Sequence, residues 1–228
     1  MAPRARAALL VVALSGVSVR SVPAQSANRE WTIDPAASRL TVHVLPAGLL
    51  SSALHDHRFQ PETWSGEIRG APGHPENVSV EVRIAADSLR DHQEKLSASD
   101  VAKVEGQTRS PRILDAAKFP SIHFEGRELS AATVSDSGEV RGTLTGDLTL
   151  HGRTRPVQFP VQGRIASDRM EATATVKLKQ SDFGIKPYST ALGSIAVRDE
   201  VTIEISLLAL PRAAPRRDKG APSESSRR

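Results

Sequence analysis

The chain has 228 residues, of which 39% are hydrophobic, 25% charged and only 4% aromatic, with no cysteine and a formal net charge of +4. The missing cysteine excludes disulfides, thiolate metal sites, cysteine nucleophiles and a lipid-modified cysteine. The positive charge belongs to the two ends: residues 25–211 hold 21 basic and 24 acidic residues, and a mildly acidic core with few rings to stack on bases argues against nucleic-acid binding.

The chain begins with the basic MAPRARA, continues as the apolar run ALLVVALSGVSV and reaches small residues at Val22 and Ala24. That order predicts a signal peptide over 1–24, cleaved near Ala24, and the apolar run is too short to span a membrane. The mature protein is therefore expected in a periplasm, as one domain over 25–211.

From there the pattern has period two. Leu40, Val42 and Val44 open it; Val78, Val80, Val82 and Ile84 continue it between Ser79, Glu81 and Arg83. Ile122 and Phe124 follow, then Val140 to Leu150 alternating with Arg141, Thr143, Thr145, Asp147 and Thr149, then Val157 to Ile165, Ala172 to Leu178 and Val201 to Leu207. Alternation of this kind predicts strands with one buried and one wet face. SDSG at 135–138 and HGRTRP at 151–156 read as turns. About eight antiparallel strands in meandering order commonly close into a barrel, which removes exposed edges. Gly142 and Gly146 fall on the apolar face of one strand, where glycine permits bending or the close approach of another group.

One stretch departs from this pattern. In SASDVAKVEGQ, 97–107, Ser97 precedes Asp100 by three residues and Val101 and Val104 have helical spacing. A short capped helix over one barrel end is expected. The tail 212–228, rich in Pro, Ser and Arg, is expected to be disordered, with at most peripheral contact to an anionic membrane.

Five segments then occur in a telling order: WTIDPAASRLTVHV (31–44), LDAAKFPSIHFEG (114–126), GTLTGDLTLHGRTRPV (142–157), SDFGI (181–185) and VRDEVTIEISL (197–207). Together they resemble the YceI-like family of bacterial periplasmic proteins. The resemblance implies an all-β fold, an extended eight-stranded antiparallel lipocalin-like β-barrel with one short helix. It implies a binding protein rather than an enzyme, with no cofactor, holding an amphiphilic lipid or polyisoprenoid in an apolar tunnel. On that reading Val42, Phe59, Trp64, Val82, Phe124, Leu148 and Phe159 line the tunnel, and Gly142 either makes room for the ligand or bends its strand. Catalysis has no support in the residues themselves: there is no G-x-S-x-G, no thiol and no paired carboxylate.

The departure from the family pattern is ALHDHRFQPETWSGEI, 53–68. Trp64, Ser65 and Gly66 fit, but Phe59 lies further upstream than usual and two histidines are added. On an extended strand His55, His57 and Phe59 share one face, opposite Asp56 and Arg58. Three readings stand for the pair: a metal or haem site completed by Asp91, His92, Asp100 or His123; a mouth that holds a ligand headgroup; or polar strand residues with no ligand. His43, His123 and His151 fall away from the apolar face and are expected in solvent.

Overall fold

In the computed structural model the described residues are 29–48, 51, 55–71, 74–190 and 195–212. The predicted signal peptide and the tail beyond Arg212 lie outside them. Arg212 is the first residue of the expected tail, yet it is still engaged, its backbone N–H donating to Glu30 O at 2.8 Å.

Twelve strands form one antiparallel sheet: β1 (Arg29–Ile33), β2 (Arg39–Ala47), β3 (His57–Pro61), β4 (Trp64–Ala71), β5 (His74–Ala85), β6 (Leu89–Asp91), β7 (Ser121–Val134), β8 (Glu139–Leu150), β9 (Arg153–Ile165), β10 (Met170–Lys179), β11 (Ser189–Thr190) and β12 (Ile195–Pro211). The order β1-β4-β5-β7-β8-β9-β10-β12 returns to β1 through the pairing of Trp31 with Pro211 and Ile33 with Ala209. That is the expected closed eight-stranded barrel. Every strand inferred from alternation is present, and β8 runs over Glu139–Leu150, the span its alternation marks.

Three strands of the ring are broken, and the breaks decide the shape. The turn at Asp34, whose Oδ1 accepts the Ala36 N–H at 2.9 Å, separates β1 from β2. Glu62 and Thr63 separate β3 from β4, and a 3₁₀ turn over Ala86–Ser88 separates β5 from β6. The second and third breaks are tied together: Ser88 Oγ donates to Ala85 O and Thr63 O, and Glu62 N–H donates to Ser88 O. Beyond them β2, β3 and β6 stay paired, but β6 does not pair with β7. The sheet is thus split at one end.

The expected helix, α1 (Ala98–Arg109), stands at that split. It is capped by Ser97, whose Oγ accepts the Asp100 N–H at 3.2 Å. Glu105 Oε1 accepts the backbone N–H of Asp91 at 3.1 Å, so the helix carboxylate serves the edge of β6 that lacks a strand partner. We call this the helix end and the opposite one, at the β9–β10 turn, the turn end.

Two local conformations depend on glycine. The β8–β9 connection turns on His151 (φ 51°) and Gly152 (φ 70°), the left-handed pair that a two-residue hairpin needs. The expected six-residue turn is therefore two residues long, and Arg153 to Pro156 already belong to β9. At Gly146 a methyl would stand 2.8 Å from Phe124 Cζ and 2.7 Å from Gly126 Cα, so glycine lets β7 and the Phe124 ring close over β8.

Candidate ligand-binding cavity

The inner faces of the strands do not fill the barrel. They enclose a cavity of about 640 Å³ whose lining is Val, Ile, Leu, Phe and Trp over most of its length, within the range of small-molecule sites. The alternation that makes each strand two-faced is what makes the wall apolar. Apart from Thr173 of β10, polar lining is concentrated at the ends: His74, Arg164 and Glu171 at the turn end; His57, Asp100, Lys103, Gln107, Thr108, Lys179, Gln180 and Tyr188 at the helix end.

The turn end is packed tightly. Trp31, Ile33, Ile68 and Ala209 are buried together at the seam where β1 closes the ring. At the helix end Phe59, Leu89, Leu114, Phe183 and Ile185 form a second buried cluster, with Val104 of α1 against it. Here one polar pair is built into the apolar surroundings. His57 Nδ1 lies 2.6 Å from Asp91 Oδ2, and Asp91 Oδ1 accepts the Arg58 backbone N–H at 3.1 Å. The Asp91 side chain has no exposed surface, whereas that of His57 is 20% exposed. A fixed carboxylate on one ring nitrogen orients the imidazole and leaves the other nitrogen for a ligand.

Eight of the ten sequence-predicted residues line the cavity: Val42, His57, Phe59, Trp64, Val82, Phe124, Leu148 and Phe159. His55 and Gly142 do not. Strand β3 starts at His57, so the alternation assumed for 55–59 does not extend back to His55, which is exposed. Gly142 serves close packing of strands: a methyl there would meet Leu129 Cγ at 2.9 Å and Ser130 O at 3.0 Å. Among the described residues no group of three His, Cys, Asp or Glu side chains could hold a metal ion. The metal reading of His55 and His57 therefore lacks a donor set there, and Asp91 meets His57 as a hydrogen-bond partner.

The other histidines also depart from expectation. His43 and His123 do sit on the outer face, but they are only 24% and 17% exposed, with Nε2 3.2 Å from Glu204 and 3.3 Å from Glu81 respectively. His151 occupies its turn but is half-buried and not in solvent, with Nδ1 3.3 Å from Phe183 O.

The helix contribution was the part the sequence reading missed. Asp100, Lys103, Val104, Gln107 and Thr108 all line the cavity. Their spacing of i, i+3, i+4, i+7 and i+8 is one face of a helix. Pairing Val101 with Val104 hid that face, because the inward stripe is mostly polar. Asp100 is held as a carboxylate below its ordinary range by the hydrogen bond from Ser97 and by Lys103.

A family model described as the YceI-like domain matches residues 31–209. The chain belongs to the YceI-like family. A UPF0312 protein of Vibrio cholerae is 26% identical over 182 residues, 77% of this chain and 88% of the relative. One from Pseudomonas putida is 35% identical over 94 residues, 39% of this chain and 46% of the relative. Among solved structures, a polyisoprenoid-binding domain from Saccharophagus degradans aligns with a TM-score of 0.60 at 14% identity, over 80% of this chain and 98% of that one. Burkholderia cenocepacia BcnA aligns with a TM-score of 0.58 at 21% identity, over 77% and 98%. Both likenesses concern the fold.

In this YceI-like chain the motif segments meet at the helix end and hold it together. The Phe119 ring lies edge-on to His151 at 5.1 Å and packs on Gly152. Arg153 packs on Gly184, the left-handed cap after the 3₁₀ turn Gln180–Phe183, and Arg155 Nε donates to Asp182 O at 3.1 Å. The two arginines at the start of β9 join elements of the fold.

Proposed function

We propose that this protein is exported to the periplasm and there binds one amphiphilic lipid or isoprenoid lengthwise in the barrel, as a carrier or store and not as a catalyst. The observation that carries the reading is the continuous apolar wall around some 640 Å³ of open interior. Burying each methylene of a chain in such a bore contributes roughly 0.8 kcal/mol, so affinity grows with chain length without specific polar contacts. The likeness to a polyisoprenoid-binding domain agrees with this reading. Most of the wall carries hydrocarbon side chains, which suits binding of a chain better than chemistry on it.

The test is native mass spectrometry of the protein purified from the periplasm of an expressing Gram-negative host. The expected species lacks residues 1–24 and carries a lipid-sized mass that denaturation removes. A full-length chain retained in the cytoplasm would refute export. A bare mature polypeptide that takes up no farnesene, farnesol or fatty acid on titration would refute lipid binding.

A further inference from the structure

A bore for hydrocarbon needs no imidazole, and a carboxylate is costly to bury unless hydrogen bonds compensate it. Both oxygens of Asp91 are occupied, Oδ1 by the Arg58 N–H and Oδ2 by His57 Nδ1. A carboxylate in this position only accepts, so the ring hydrogen sits on Nδ1 and is donated to Asp91. Nε2 lies across the ring, has no protein partner among the described residues, and belongs to a side chain that lines the cavity. We propose that His57 Nε2 anchors the polar end of the bound molecule, and that this end is an uncharged hydroxyl: the ligand is a long-chain or isoprenoid alcohol lying with its head at the helix end. The inference rests on the cavity taking a lipid or isoprenoid at all.

Two observations select the hydroxyl. It both donates and accepts, so it pairs with Nε2 whether that atom offers a lone pair or an N–H; an ionised phosphate or carboxylate only accepts. The charges of the helix end also disfavour an anionic head. Asp91, Asp100 and Glu105 supply negative charge around α1. Of the lining lysines, Lys103 Nζ lies 3.0 Å from Asp100, and Lys179 is among the groups that hold the Asp199 carboxyl below its ordinary range, after the larger effect of the Ser181 hydrogen bond. Beside the helix, Arg90 reaches Glu62 at 3.0 Å and Arg109 reaches Glu105 at 3.5 Å. An anionic head here would lose its hydration next to a buried carboxylate, and Lys103, Arg90 and Arg109 already face carboxylates of their own. At the turn end the lining instead includes exposed Arg164, so a preference for a phosphate head would point to that end and away from His57.

The experiment titrates the mature protein with farnesol, farnesyl monophosphate and farnesene, three probes with one chain. The readout is the fluorescence of Trp31 and Trp64, which both line the cavity. Farnesol should bind about tenfold more tightly than farnesene, the scale of one buried hydrogen bond, and farnesyl phosphate no more tightly than farnesene. In His57→Leu the farnesol advantage should vanish while farnesene binding stays the same; His57→Phe answers the same question if the leucine variant fails to fold. Equal affinities for farnesol and farnesene in the native protein overturn the inference and leave the lipid reading standing. A preference for farnesyl phosphate that Arg164→Gln removes and His57→Leu does not would place the head at the other end, and also overturns it. If no probe binds, the lipid reading falls and this inference with it.

Discussion

The two ends of the barrel are closed by different physics. At the turn end β1 pairs on both edges, with β4 and with β12, and Trp31, Ile33, Ile68 and Ala209 are between 1% and 4% exposed. At the helix end the sheet has split, and closure falls to a helix with no buried residue, attached largely through Glu105, which accepts the Asp91 N–H and faces Arg90, and through Val104. Closing a barrel with paired strands and apolar packing gives a rigid seam. Closing it with a polar-faced helix gives a cover that water and ligand can compete for. The molecule thus has one end closed by strand pairing and one by a helix over a split sheet, and on the proposed function the second is the end for traffic.

The largest effect should come from breaking the seam. Trp31→Ala removes a large side chain that is 2% exposed, at the position where the ring closes. The expected cost is about 3–5 kcal/mol, read from the urea midpoint at unchanged slope. A loss below about 1 kcal/mol would show that the neighbouring strands hold the barrel without β1, and the contrast between the ends would disappear.

How much of this contrast the sequence carries depends on distance along the chain. The strand faces of Val78 to Ile84 and Val140 to Leu150 could be read directly, because alternation is local and the structure keeps it. The Ser97 cap was legible for the same reason. The aligned breaks at 62–63 and 86–88 were not, since they are defined by bonds between segments more than twenty residues apart, such as Ser88 to Thr63. Nor was the partner of His57: Asp91 lies 34 residues on, in a three-residue strand too short to show a period. His55 was misplaced by extending alternation past the first residue of β3, where no strand exists to enforce it.

A smaller effect sharpens the comparison from the other side. Val104 is the apolar contact of α1 with the helix-end cluster and is only partly buried. Val104→Ala should cost about 1 kcal/mol, well below Trp31→Ala. It should nevertheless speed release of a bound chain several-fold, because the helix then sits less firmly over the opening. The check is the off-rate of farnesene in stopped-flow fluorescence. Unchanged release would assign α1 to the fold alone and move the entry route elsewhere.

The smallest effect is that of acid, and it too should differ between the ends. Asp199 joins the 3₁₀ turn Gln180–Phe183 to β12: it accepts Ser181 N–H at 2.8 Å and Ser181 Oγ–H at 2.6 Å, and these bonds hold its carboxyl below the ordinary 3.8. Asp100 is lowered in the same direction at the start of α1. A carboxyl whose value falls on folding contributes stability above its unfolded value, and that contribution is lost as the pH drops through the folded one. The loss therefore begins near pH 3.8 and continues below it. Both groups are only partly buried, so screening keeps the effect small. Glu76 is lowered too, toward the turn end, but its partners are its own backbone and His74 of the same strand, so its protonation unties no second element. Hydrogen exchange corrected for intrinsic rates should show protection falling first at 180–183 and in α1, while β1 and its partners stay protected. Asp199→Asn should already show the weaker protection at 180–183 at neutral pH and change little more in acid. Uniform loss along the barrel would mean that the helix end is not held by these carboxylates, and that its looseness comes from the split in the sheet alone.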